Sequence, residues 1–103
     1  MKQWIGVVNL SAEIPGAASL KDRRQVTRSL SERLKRHFNV SCADLGPGET
    51  WNRADIAAVF VSSSYQEAET RKEQCLEFLS KAEDEGEFAI LGVKHEVFAY
   101  GDF

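Results

Sequence analysis

Two cysteines, two prolines, one methionine and two histidines are all that this 103-residue sequence contains of those residue types. Each scarcity closes off a class of function. Cys42 and Cys75 are too few for the disulfide framework of a small secreted scaffold, and too far apart for a CxxC redox or zinc motif. His37 and His95 have no second His, Cys or carboxylate at ligand spacing, so neither a structural zinc site nor an HExxH helix is encoded. No apolar run approaches the ~20 residues of a membrane-spanning helix. The N-terminal Met1-Lys2-Gln3-Trp4 leads directly into alternating residues, without the apolar core of a signal peptide. With two unpaired thiols, that start points to the cytoplasm. Gly46-Pro47-Gly48 reads as a turn, because a phosphate-binding loop would need a lysine and a following helix. Glu83-Asp84-Glu85 and Glu87 lack the spacing of a calcium loop and read as a solvated helix end. The expectation is a non-enzymatic protein with no catalytic residues, no metal and no cofactor.

What is present is a regular alternation of pattern. A length of 103 residues predicts one domain over 1–103, with room for a single core. Residues 4–14 alternate with period two, Trp4, Gly6, Val8, Leu10, Ala12 and Ile14 on one face, and read as a strand. Pro15-Gly16 ends it, and Ser19 followed by Asp22 starts a helix with a variant of the capping box. Val26, Leu30, Leu34 and Phe38 recur every four residues along one helix face, and Asn39 suits the stop. Residues 40–45 and 53–62 read as two more strands, the second carrying the apolar run Ile56-Ala57-Ala58-Val59-Phe60-Val61. Ser62-Ser63-Ser64 caps a second helix that Gly86 closes, and residues 88–98 form the last strand, with Leu91, Val93, His95 and Val97 alternating.

The order β-α-β-β-α-β predicts an α+β, ferredoxin-like fold: a four-stranded antiparallel sheet with two helices on one face. Its central strands are apolar on both sides, Ile5 and Val7 opposite Val8 and Leu10, Val59 and Val61 opposite Ile56 and Phe60. Something should cover the second face, either a second copy in a homodimer or the aromatic tail of Phe98, Tyr100 and Phe103.

Charge is distributed unevenly. Residues 21–37 carry seven Lys/Arg against two acids, a local +5, although the chain as a whole is −3. On a helical wheel Lys21, Arg24, Arg28 and Lys35 fall within about 60° of one another. Arg36 and Arg33 flank that stripe, and Arg23 lies towards the apolar face. A solvated helix surface accounts for Lys35 and Arg36, since the helix dipole favours cations at a C-terminus. It does not account for Lys21, Arg23 and Arg24 in the first turn, where the dipole disfavours them.

Ile14-Pro15-Gly16, Ser19-Leu20-Lys21-Asp22-Arg23-Arg24, Phe38-Asn39-Val40-Ser41 and Trp51-Asn52-Arg53-Ala54 resemble the signatures of the YlxP-like family of small bacterial proteins of unassigned function. The resemblance runs through nearly the whole chain. It implies a ferredoxin-like fold and a gene often placed beside translation and ribosome-maturation factors. It implies no catalytic residues.

The expected partner is therefore structured RNA or the ribosomal particle, bound at Lys21, Arg24, Arg28, Lys35 and Arg36 of helix 20–38 through backbone phosphates. An RNA-recognition domain that stacks bases on sheet aromatics is excluded, because the third strand offers only Phe60 and no basic-Gly-Phe-x-Phe element occurs. The alternative is a protein-interaction or regulatory module acting as a homodimer. A small-molecule sensor has no support in the sequence beyond analogy of fold. Trp51 is expected to anchor its turn on the core, since large aromatics carry much buried area.

Overall fold

The computed structural model describes residues 2–46 and 50–101. Residues 47–49 of the glycine-rich turn and Phe103 lie outside that range. Six elements follow in order: β1 (Gln3–Glu13), α1 (Leu20–Phe38), β2 (Ser41–Gly46), β3 (Arg53–Ser62), α2 (Tyr65–Glu83) and β4 (Ala89–Tyr100). The strands form one antiparallel sheet in the order β2-β3-β1-β4, which is the ferredoxin-like βαββαβ arrangement.

The helix ends form where the sequence provides for them. Ser19 Oγ accepts from the Asp22 amide at 3.1 Å, and the Asp22 carboxylate accepts from the Ala18 amide at 3.0 Å. One orphan donor of the first turn, the Asp22 amide, is thus satisfied by the cap, which contributes about 1 kcal/mol, and the Asp22 carboxylate fixes the residue before the cap. Asn39 closes α1 in the left-handed region at φ 51, its amide bonded to the Lys35 carbonyl at 3.1 Å. Ser64 caps α2 through the Glu67 amide at 3.1 Å, and the chain leaves that helix through Gly86 at φ 91.

Both helices cover the sheet face that bears Val8, Leu10 and Ala12 of β1 and Ala54, Ile56, Ala58 and Phe60 of β3. Leu30 and Leu34 supply the α1 side of this core; Ala68, Cys75, Leu79 and Ala82 supply the α2 side. The tip of the Phe60 ring packs on Gly6, so closely that a Cβ at position 6 would lie 2.1 Å from its Cζ. The Arg71 guanidinium lies over the ring, 4.4 Å from its centroid. Arg71 donates to the carbonyls of Val61 and Asn39, both at 3.0 Å, and to that of Phe38, which satisfies the end of α1 from α2.

The last strand departs from its simple alternation. Ser11 pairs with Gly92 but Ala12 with Ile90, so Leu91 is the extra residue of a bulge. The bulge shifts the phase. Val93 and Val97 remain against the core, while Leu91 is exposed and lines the open face beside Asn9 and Ser11. His95 pairs with Val8 but is exposed, since β4 lies at the edge of the sheet.

Candidate functional site

The cations of α1 fall into two groups. Arg23 is buried, with 4% of its surface exposed. Its Nε donates to the Arg53 carbonyl at 2.7 Å, and its two terminal nitrogens grip Asp44 at 2.9 and 2.7 Å. This fork ties α1 to β2 and β3. It holds the Asp44 carboxyl below the usual carboxylate range, and the same bond raises the Arg23 guanidinium. Arg33 makes a second fork, to Glu85 at 2.9 and 2.8 Å, and lies over the Phe78 ring at 5.1 Å. Both are structural.

Lys21, Arg24, Arg28, Lys35 and Arg36 form the other group. All five are exposed, and none is in an ion pair with a carboxylate among the described residues. The helix period brings Lys21, Arg24, Arg28 and Lys35 onto one stripe, with Arg36 at its border, as the sequence predicts. Arg24, Thr27, Arg28 and Ser31 line a shallow hollow of about 300 Å³ whose other wall is Asp44 of β2. β2 is an edge strand, bonded only to β3, so the stripe runs beside an open sheet edge. Guanidinium forks next to hydroxyls make a donor set for phosphate oxygens. The single acid in the wall is already neutralised by Arg23.

Among the described residues no group of three or more His, Cys, Asp or Glu could hold a metal ion. Cys75 is fully buried, and burial pushes its thiol up to about 11. Burial also raises the half-buried Cys42, whose thiol lies against the Ser31 carbonyl. Neither is a thiolate nucleophile near neutral pH. His37 is exposed and lies against Phe38 and Phe78.

One residue stands differently from expectation. Trp51 is 47% exposed and does not anchor its turn in the core; the neighbouring Asn52 carbonyl is tied instead to the amide of the buried Ile14 at 2.8 Å. Ser31 is half-buried at the seam between α1 and β2. The open sheet face is apolar at one end: Val59, Val61, Phe98 and Tyr100 are exposed, with Ile5 and Val7 between them.

A family model described as a protein of unknown function, DUF503, matches residues 5–93. The chain belongs to the DUF503 family. Within reach of it lies YlxP of Bacillus subtilis, an uncharacterized protein 33% identical over 75 residues, covering 73% of this chain and 82% of the relative. Two solved structures share the DUF503 chain's fold. One is SnoaB, a cofactor-independent oxygenase from Streptomyces nogalater, at TM-score 0.52 and 15% identity, covering 92% of this chain and 90% of that one. The other is the de novo designed protein Foldit4, at TM-score 0.51 and 11% identity, covering 98% and 99%. At such identities the likeness concerns fold alone. No helix of this DUF503 member, among the described residues, is long and apolar enough to cross a membrane.

Proposed function

We propose that this chain is a non-enzymatic cytoplasmic binding protein that holds the phosphate backbone of structured RNA, alone or in the ribosomal particle, on the exposed stripe of α1. The observation that carries this reading is the division among the basic side chains. Arg23 and Arg33 are spent on carboxylates, whereas Lys21, Arg24, Arg28, Lys35 and Arg36 point outward without acidic partners among the described residues. Five clustered cations on a chain of net charge −3 are a local attraction for a polyanion.

Contacts of this kind position the partner without reading its sequence. With ~4–5 phosphates neutralised, log K should fall against log salt with a slope of about −3 to −4. The test is binding of the purified protein to ribosomal RNA and small subunits across a salt series. Arg24→Glu with Arg28→Glu should weaken binding to every structured RNA alike and flatten the slope by about 1–2. No salt-sensitive binding at low ionic strength sinks the proposal. Persistence of a pulled-down complex after nuclease treatment would assign the stripe to an acidic protein instead.

A second reading is favoured by the open sheet face. Ile5, Val7, Val59 and Val61 form a contiguous apolar patch that a second copy would cover in a symmetric homodimer. Sedimentation showing only monomer at tens of micromolar would refute it.

A further inference from the structure

At its other end the open sheet face is concave. Asn9 and Ser11 of β1 form the floor of a hollow of about 580 Å³, with Leu45 of β2 on one side and Leu91, Gly92 and Lys94 of β4 on the other. That volume lies in the ordinary range for small-molecule sites. The β4 bulge makes the room: it sets Leu91 out as a wall and places Gly92, without a side chain, opposite Ser11. A Cβ at Gly92 would meet no atom within 4 Å, so the space above it is open.

The polar groups in this hollow are unlike those of a merely solvated sheet. Asn9 Oδ1 is buried and receives no hydrogen bond from the described residues, an unfavourable condition for an acceptor unless something else donates to it. Lys94 stands directly across from Asn9 and is in no ion pair among the described residues. Asp55, held by the Ser11 hydroxyl, lies on the far side of β1. The site thus offers a cation, an anion, an unmet acceptor and two leucine walls.

We infer that this hollow binds a small zwitterion with an apolar body, of the chemical class of apolar or aromatic α-amino acids. Lys94 pairs with the carboxylate, Asp55 and Asn9 Oδ1 accept from the ammonium, and Leu45 and Leu91 hold the side chain. A purely anionic ligand would leave Asp55 repelling it, and a purely cationic one would meet Lys94 in the same way. The site lies on the sheet face away from α1, so it is independent of the phosphate stripe.

Calorimetry or ligand-observed NMR with L-phenylalanine and L-leucine, against butyrate and butylamine, tests this. One of the amino acids should bind with a dissociation constant near ~1 mM or tighter, and the singly charged controls about tenfold more weakly. Lys94→Ala removes the carboxylate's partner, and Gly92→Val puts a branched side chain into the hollow from a position where a Cβ meets no atom within 4 Å; each should weaken binding about tenfold or more. Both positions are exposed, so both variants should fold. Glu96→Ala, on the same strand and face but outside the hollow, should change nothing. No binding of either amino acid at ~10 mM overturns the inference. So does equal binding of butyrate, or full binding by Gly92→Val.

Discussion

Arg23 and Arg24 are adjacent arginines in the first turns of one helix, and the structure assigns them opposite fates. Replacing Arg23 by Met keeps most of the buried stem but removes three hydrogen bonds, leaving the Arg53 carbonyl without its guanidinium donor and the Asp44 carboxylate with the Gly46 amide but no cation. Breaking a fully buried ion pair costs about 3–5 kcal/mol. The Asp44 side chain is 38% exposed, so water replaces part of what is lost. A discount for that screening brings the expected cost to about 2–3 kcal/mol. Arg24→Met removes an exposed cation with no carboxylate partner and should stay within about 0.5 kcal/mol. Urea denaturation decides, provided the m-value is unchanged, so that a shift in midpoint reports stability alone. Asp44→Asn added to Arg23→Met should recover part of the loss, a coupling of about 0.5–3 kcal/mol. If Arg23→Met and Arg24→Met cost the same, α1 is rotated about its axis, and the division of its cations between structure and binding falls with it.

Leu30→Ala or Leu34→Ala should cost about 2–5 kcal/mol, against less than about 0.5 for the exposed Glu32→Ala, by the same denaturation. Gly6→Ala should destabilise by about 1–3 kcal/mol, because its Cβ would displace the Phe60 ring from β1 and Arg71; unchanged stability would mean the ring is not there. Asp44 has a folded pKa depressed by Arg23, so its contribution is complete above the unfolded carboxylate value of about 3.9 and disappears as pH falls through the folded one. The stability gap between wild type and Arg23→Met should therefore be full near pH 7 and narrow below about pH 4. A gap independent of pH would remove the ion pair from the explanation.

Much of this fold was legible because its signals are local. Ser19, Asp22, Asn39 and Ser64 act within one helical turn, and the period-two strands need only neighbouring residues to declare a face. Arg23 was visible as lying towards the apolar side, but its partner Asp44 sits 21 residues on and in another strand. Arg33 and Glu85 are 52 residues apart, a distance over which no periodicity carries information. The Leu91 bulge was hidden for a related reason: alternation continues unbroken in the letters while the register to β1 slips by one. Trp51 misled because size argues for burial, whereas the turn is tied to the Ile14 amide through the Asn52 carbonyl and leaves the indole about half exposed. The exposed basic stripe of α1 could be read from spacing alone. The hollow at Asn9 could not, since it depends on four strands meeting in register.

The Arg71 side chain has a consequence for how the molecule comes apart. It belongs to the second helix, yet its hydrogen bonds go to the end of the first and to β3, and its plane rests on a ring that itself rests on β1. The two βαβ halves cannot separate without stripping the Arg71 donors from the Phe38 and Asn39 carbonyls at the end of α1. Amide hydrogen exchange should accordingly find the end of α1, the end of β3 and the middle of α2 exchanging together, as one cooperative unit near the global unfolding free energy. Arg71→Ala should split that unit, so that the last turn of α1 exchanges ahead of the rest.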